Sequence, residues 1–181
     1  MKTIAKLTLL SVLLVTLLTG CSSNKSDQTT AEKPDAVSSA SIVNTADAFK
    51  KAISSNGTWI IAITSDLTVN EDLLVEGEFK NGKKDDNGNE LLQRKIALYS
   101  QDKDRNITAR YTLTAPKLTI TSPEASIQHG TFKGDLNVSV ANFKLIDATV
   151  DGNVYFTSEE AQSTFSMDDT SKVTGSQELK K

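Results

Sequence analysis

The chain has 181 residues, with 20 basic and 23 acidic side chains for a formal charge of −3, and a single cysteine. One cysteine excludes an intrachain disulfide and any CxxC metal or redox site, so stability has to come from packing. Three arginines, Arg94, Arg105 and Arg110, are too few for a surface that tracks a phosphate backbone, which argues against a nucleic-acid partner.

Lys2 and Lys6 precede an apolar run of 12 residues, Leu7 to Leu18. That is the length of a secretory h-region and short of the roughly 20 residues a bilayer-spanning helix needs. Leu18-Thr19-Gly20-Cys21 follows directly and ends in the lone cysteine. These four residues resemble the bacterial lipobox, which implies lipid transfer to Cys21 and cleavage before it. Residues 1–20 are then a lipoprotein signal peptide, and the expected location is the extracytoplasmic face of the cell membrane, held by lipid. Acyl chains contribute about 0.8 kcal/mol per buried methylene, so several on one residue make a stable anchor. A plain secretory signal beside an incidental cysteine is the alternative. Loss of Lys2 and Lys6 takes the formal charge to −5 on the 161 residues that remain, a length suited to one domain.

Residues 21–41 are expected to form a lipidated, flexible stalk. Ser, Thr, Lys, Asp and Ala dominate it, and such a composition cannot bury enough surface to offset the entropy of ordering. About 20 flexible residues give a root-mean-square span of roughly 25 Å. A helix is predicted from Thr45 to Ser55, with Asn44 as N-cap, Asp47 in the first turn and Asn56-Gly57 as the stop. Its apolar side, Ala48, Phe49, Ala52 and Ile53, needs a surface to cover.

From Thr58 the pattern turns to β. Trp59 to Ile63, Leu67 to Val69 and Leu73 to Val75 are short strands separated by polar turns, too close together for helices between them. Lys80 to Gln93 contains Asn-Gly twice and reads as an exposed excursion or hairpin end. Ile96 to Tyr99 is expected to pair with Ile107 to Leu113 across a charged loop.

An internal repeat carries the main fold signal. At a spacing of 18, TFKGDLNVS (131–139) overlays TVDGNVYFT (149–157), and one step back continues with Leu118 and Ile120. Stacked strands lie about 4.8 Å apart, so Leu118/Leu136/Val154 and Ile120/Val138/Phe156 become interior columns. An insertion near Ser158 to Gln162 delays the last repeat, which resumes at Phe165, Met167 and Val173. The expected fold is all-β: residues 42–181 form a short parallel β-helix, a β-solenoid of about 18 residues per coil, capped by the N-terminal helix. A β-sandwich remains the alternative.

The stretch TADAFKKAI…TWIIAITSDLTV…LLVEG resembles the opening coil of right-handed pectin-lyase-like β-helix proteins. Residues 96–175 are similar to the coils of small clostridial-type surface lipoproteins of unassigned role. The resemblance implies right-handed coiling, and it admits a small polysaccharide-active enzyme, lyase or hydrolase, as one functional reading.

The 18-residue register sets Lys117 beside Asp135, Lys133 beside Asp151 and His129 beside Asp147. One His beside one Asp has the form of a general base, yet no nucleophile or metal-ligand set joins it by motif. An inter-coil ladder accounts for all three pairs, each contributing roughly 0.2–1 kcal/mol. Asp85, Asn87 and Asn89 imitate the start of a calcium loop, but Glu90 stands where the loop needs Gly and Ile96 where it needs Glu, so a solvated turn is expected. No catalytic residue, metal or cofactor is assigned. Asp151, Glu159, Glu160, Asp168 and Asp169 are too scattered to define a catalytic cleft. Trp59 lies in an apolar run and Phe132 and Phe156 in core columns, which leaves Tyr99, Tyr111 and Tyr155 as candidate surface contacts. The expected protein is a monomeric, non-enzymatic binding or structural module whose partners are the membrane, through Cys21, and a cell-wall polysaccharide or envelope protein.

Overall fold

The computed structural model describes residues 40–180; the expected signal peptide, Cys21 and nearly all of the stalk lie outside the described residues. The chain opens with β1 (Ser41–Ile42), α1 (Ala46–Ile53), β2 (Ile60–Ala62), β3 (Leu67–Thr68) and β4 (Leu73–Val75). It continues with β5 (Lys80–Lys84), β6 (Glu90–Leu92), β7 (Arg94–Ala97), β8 (Tyr99–Gln101) and β9 (Ile107–Arg110). Then come β10 (Thr112–Ile120), β11 (Ala125–Gln128), β12 (Thr131–Val138), β13 (Lys144–Ile146), β14 (Thr149–Asp151) and β15 (Val154–Phe156). The last elements are α2 (Glu159–Ser163), β16 (Ser166–Met167), β17 (Lys172–Val173) and β18 (Gln177–Leu179). Neither helix is long and apolar enough to cross a membrane.

The architecture is all-β and built on parallel sheets. One sheet has six strands in the order β1-β2-β7-β11-β13-β16; the other has eight, in which β3 and β4 pair with β10, β10 with β12, β12 with β14 and β15, and these with β17 and β18. From β10 onward the chain passes back and forth between the two sheets, β10 to β11 to β12 to β13, then β14 and β15, β16, and β17 and β18. The spacing of 18 is the register within β10–β15: Ile127 faces Leu145, Thr131 faces Thr149 and Leu136 faces Val154. It does not extend to the front of the chain, where Ile61 faces Ile96, Ile96 faces Ile127 and Leu73 faces Leu118, because the hairpin excursions lengthen those connections. Between β10 and β12 the offset is 19 at Thr112↔Thr131 and 18 from Lys117↔Asp135 onward, so one extra residue is absorbed at Ala115-Pro116. Proline has no N–H for a ladder, and a bulge is where a strand tolerates it.

Leu118/Leu136/Val154 and Ile120/Val138/Phe156 are inward columns whose members are at most 1% exposed. Leu73 and Val75 extend them at the front. Ile61, Ile96, Ile127 and Leu145 form the matching column of the six-stranded sheet and join the same buried cluster. Each such side chain contributes roughly 1.5–3 kcal/mol on burial. The first column ends in Gln177, opposite Val154.

Glycine recurs in the repeat for a steric reason. A Cβ at Gly134 would stand 1.9 Å from the Ala115 carbonyl oxygen, and one at Gly152 would stand 2.1 Å from that of Gly134. Gly134 also has φ +141, a conformation that L side chains seldom adopt. Beside these glycines a polar ladder crosses the repeats: Asn153 Nδ2 donates to Asp135 Oδ1 at 3.0 Å, and Ser176 N donates to Asn153 Oδ1 at 3.0 Å.

Helix α1 covers the core with Phe49, Ala52 and Ile53. Its N-cap is Thr45, whose hydroxyl accepts from Ala48 N at 3.3 Å, rather than Asn44. Asn44 is drawn away by Thr64, with which it exchanges bonds of 2.7 and 2.8 Å. Arg94, the largest fully buried side chain, holds the other end of the helix: its Nη2 donates to the carbonyls of Ala52 (2.8 Å) and Ser54 (3.1 Å). The guanidinium lies 3.7 Å from the Phe79 ring centroid, and burial lowers its pKa to about 10. It satisfies carbonyls that a helix C-terminus leaves open.

Two antiparallel hairpins leave the parallel body, β5–β6 and β8–β9. The first is the expected excursion. The second replaces the expected pairing of Ile96 to Tyr99 with Ile107 to Leu113: Ile96 and Ala97 are committed to the parallel sheet, so the hairpin begins only at Tyr99, opposite Arg110. The insertion after Ser158 is α2, after which β16 and β17 rejoin β13 and β14 at offsets of 22 and 23.

Leu136→Ala is expected to cost about 3 kcal/mol and Gly152→Ala about 2 kcal/mol, read from urea unfolding midpoints. Arg94→Ala should cost about 2–4 kcal/mol, because two buried carbonyls lose a charged donor.

Candidate functional site

Strand alternation determines what the six-stranded sheet shows to the outside. With Ile96 and Ile127 turned inward, Lys95 and Ala97 of β7 and Ser126 and Gln128 of β11 lie on the opposite face of the sheet, Lys95 beside Ser126 and Ala97 beside Gln128, where all but Lys95 are largely covered. One hairpin ends immediately before β7 and the other begins immediately after it, so the two stand at opposite ends of one short strand.

Between them lies a cleft of about 570 Å³. The first hairpin and its exit supply Asn81, Lys83 and Gln93, and the second supplies Tyr99, Gln101 and Arg105. Lys95 and Gln128 line the sheet side, with Trp59 and His129 at strand ends. Depressions of about 420 and 600 Å³ adjoin it, the one sharing Lys95, Tyr99 and Gln101, the other sharing Asn81, Gln93 and Gln128. The result is an elongated groove running across the strands.

Several lining groups are held in place. Asn81 Nδ2 donates to Gln93 Oε1 at 3.0 Å, and Lys95 Nζ donates to Tyr99 Oη at 2.8 Å. The Tyr99 ring meets His129 edge to face, with centroids 4.6 Å apart. His129 Nδ1 lies 3.0 Å from Asp147 Oδ2, which also accepts from Arg110 Nη2 at 2.5 Å. Both partners, His129 first, hold the Asp147 carboxyl below the ordinary carboxylate range. The Asp147 N–H in turn donates to Asp168 at 2.9 and 3.0 Å. Asp168 is lowered to about 2, chiefly by the Ser171 hydroxyl and then by that N–H.

The expected pairs fare differently. His129 and Asp147 meet side chain to side chain, both with positive φ, 58° and 49°. Glu124 and Asn142 are a second pair of the same kind at the other end of β11 and β13, with φ of 50° and 61° and Asn142 Nδ2 donating to Glu124 Oε1 at 2.7 Å. His129 and Asp147 are thus one of two corner pairs that bridge neighbouring repeats. Lys133 and Asp151 are in register at 3.9 Å. Lys117 and Asp135 are in register but form no ion pair: Lys117 turns to Asp72, and Asp135 accepts from Asn153.

The three tyrosines do not share a surface. Tyr99 lines the groove, the Tyr111 hydroxyl bonds Ser100 Oγ at 3.0 Å, and the Tyr155 ring lies under Lys180 Nζ at 3.3 Å on the eight-stranded sheet. Trp59, read as core from its apolar neighbours, is half-buried and lines the groove. Nothing in the sequence singled out Lys83, Lys95, Arg105 or the four amides; the available signal was the position of two hairpins on either side of one strand.

Asp85 takes up its carboxylate within its own turn, accepting from Asn87 N (2.9 Å), Asn89 N (2.8 Å) and Asn89 Nδ2 (3.0 Å). Those bonds lower its pKa and make it a turn residue. Among the described residues, no three His, Cys, Asp or Glu side chains converge as metal ligands.

The chain matches no family model, and neither a curated protein nor a solved structure matches it.

Because the Asp168 carboxyl titrates near 2 in the fold against an ordinary 3.8, its bonds stabilise the protein above about pH 4 and stop doing so as pH falls through about 2. Asp168→Asn should therefore lower the unfolding temperature at pH 7, and the difference from the parent should vanish by about pH 2.

Proposed function

We propose that this chain is a lipoprotein anchored through Cys21 on the extracytoplasmic face of the cell membrane, its folded part a non-enzymatic module that binds an envelope polysaccharide. The scaffold is read as a short right-handed parallel β-helix on a stalk. The offset of 18 recurs in both sheets while the chain alternates between them, and parallel crossovers are right-handed in about 98% of cases. Helix α1, pinned by Arg94, closes one end of the stack and favours a monomer.

The observation that carries the binding reading is the groove on the six-stranded sheet. Its length, three contiguous depressions of about 420, 570 and 600 Å³, suits an extended polymer better than a compact ligand. Trp59 and Tyr99 supply aromatic rings, and Asn81, Gln93, Gln101 and Gln128 supply amide groups of the kind that hydroxyl-rich chains need, although Asn81 Nδ2 and Gln93 Oε1 bond each other and Gln128 Nε2 bonds Ser126. A second reading, a small polysaccharide-active enzyme, is favoured by one observation: His129 lines the cleft with its Nδ1 on Asp147.

Purified protein is expected to bind at least one of a panel of neutral and charged polysaccharides and peptidoglycan saturably, without releasing reducing ends in the presence or absence of calcium. Tyr99→Ala should raise Kd about tenfold, the equivalent of about 1.4 kcal/mol. Turnover that disappears in His129→Asn would replace the binding reading with the enzymatic one. An absence of glycan binding would turn attention to an envelope protein as the partner.

A further inference from the structure

We infer that the groove takes an anionic saccharide chain and that Arg105 is the residue that selects for its charge; the inference rests on the reading of the groove as a saccharide site. The two hairpins close with the same five-residue turn. In one, Asp85 accepts from Asn87 N, Asn89 N and Asn89 Nδ2; in the other, Asp102 accepts from Asp104 N (2.9 Å), Asn106 N (2.9 Å) and Asn106 Nδ2 (3.0 Å). The backbone bonds match as well, Asp85 N to Asn89 O and Asp102 N to Asn106 O, both 2.9 Å. The fourth position is left-handed in each turn, φ +85 at Gly88 and +67 at Arg105.

Glycine takes that conformation freely, whereas a side chain with a Cβ meets a steric penalty. The other four left-handed non-glycine residues, Glu124, His129, Asn142 and Asp147, bond one another across neighbouring repeats, so each has a structural return. Arg105 has none: among the described residues its guanidinium makes no hydrogen bond or ion pair, and it lines the cleft. A strained residue whose twin turn uses glycine is held for what its side chain does outside the turn.

Arg105 is joined by Lys83 from the opposite hairpin and Lys95 from the sheet, three cations from three elements, with no carboxylate among the residues that line the central cleft; Glu90 and Glu124 line the adjoining depression of about 600 Å³, beside Lys144. The chain as a whole is at −3, so this local field runs against the net charge. A guanidinium fork beside ammonium groups fits the oxyanion of a carboxylate or a phosphate.

The test measures binding of the purified protein to poly(glycerol phosphate), polygalacturonate and neutral dextran, with Arg105→Gly and Lys133→Gln as variants. Wild type is expected to bind one of the two anionic polymers at least tenfold more tightly than dextran, with affinity that falls as salt rises. Which of the two it prefers identifies the oxyanion. Arg105→Gly should weaken that binding at least tenfold while its unfolding temperature stays level or rises, so the loss cannot be assigned to unfolding. Lys133→Gln, on the other sheet, should bind as wild type. Equal affinity of Arg105→Gly and wild type, or dextran binding as tight as that of the anionic polymers, overturns the inference and leaves the saccharide reading standing. Failure of wild type to bind any of the three overturns both.

Discussion

Parallel pairing in one defined register is the constraint on which the rest of this molecule depends. Side chains along a strand alternate between two faces, so a slip of one residue would turn Leu136 and Val138 outward and bring Asn137 in. The buried columns make such a slip costly, and the glycine positions make it more so. At positions 134 and 152 a carbonyl of the preceding repeat comes close enough to exclude a Cβ, so a slip that moved another residue there would clash. Hydrophobic burial and backbone approach therefore select the same register, and consistency of that kind is what gives a sequence one fold.

The ends of the stack are handled by different means. At the front, α1 lays its apolar side on the core, and Arg94 bonds the last helical carbonyls from beneath. A fully buried guanidinium is costly to desolvate, and here two carbonyl acceptors at Nη2 and the Phe79 face offset only part of that cost, since Nε and Nη1 are buried without a hydrogen-bond partner. At the back, the columns thin out: Gln177 follows Val154, while Met167, Val173 and Leu179 are only half-buried. The edge strands β16, β17 and β18 pair on one side only, so fewer contacts hold them than hold the strands between.

Much of the scaffold was legible in the sequence because its signal is periodic. Leu118/Leu136/Val154 could be read by counting, as could the delay at Ser158 that became α2. What escaped reading had no period. Thr45 displaced Asn44 as cap only because Thr64, twenty residues away, competes for the Asn44 amide. Lys117 and Asp135 hold the expected register, yet each side chain found a partner nearer to its tip. Arg94 gave no sign of burial, since an arginine next to a strand is ordinarily a surface residue. The groove was hidden for a related reason: its walls come from hairpins whose sequences read correctly as excursions, and whose meeting across β7 is a property of the assembled sheet.

The first hairpin leaves after β4 and leads into β7, and the second leaves β7 and leads into β10, neither entering the register of the repeats. The positions that fill the columns and those that build the groove's walls are thus written in separate stretches of sequence, while its floor, Lys95 and Gln128, belongs to the scaffold strands. Lengthening or rewriting residues 80–93 or 99–110 would alter the walls of the groove while the columns at 118, 136 and 154 stayed as they are. A molecule divided in this way can change what it touches without renegotiating how it holds together.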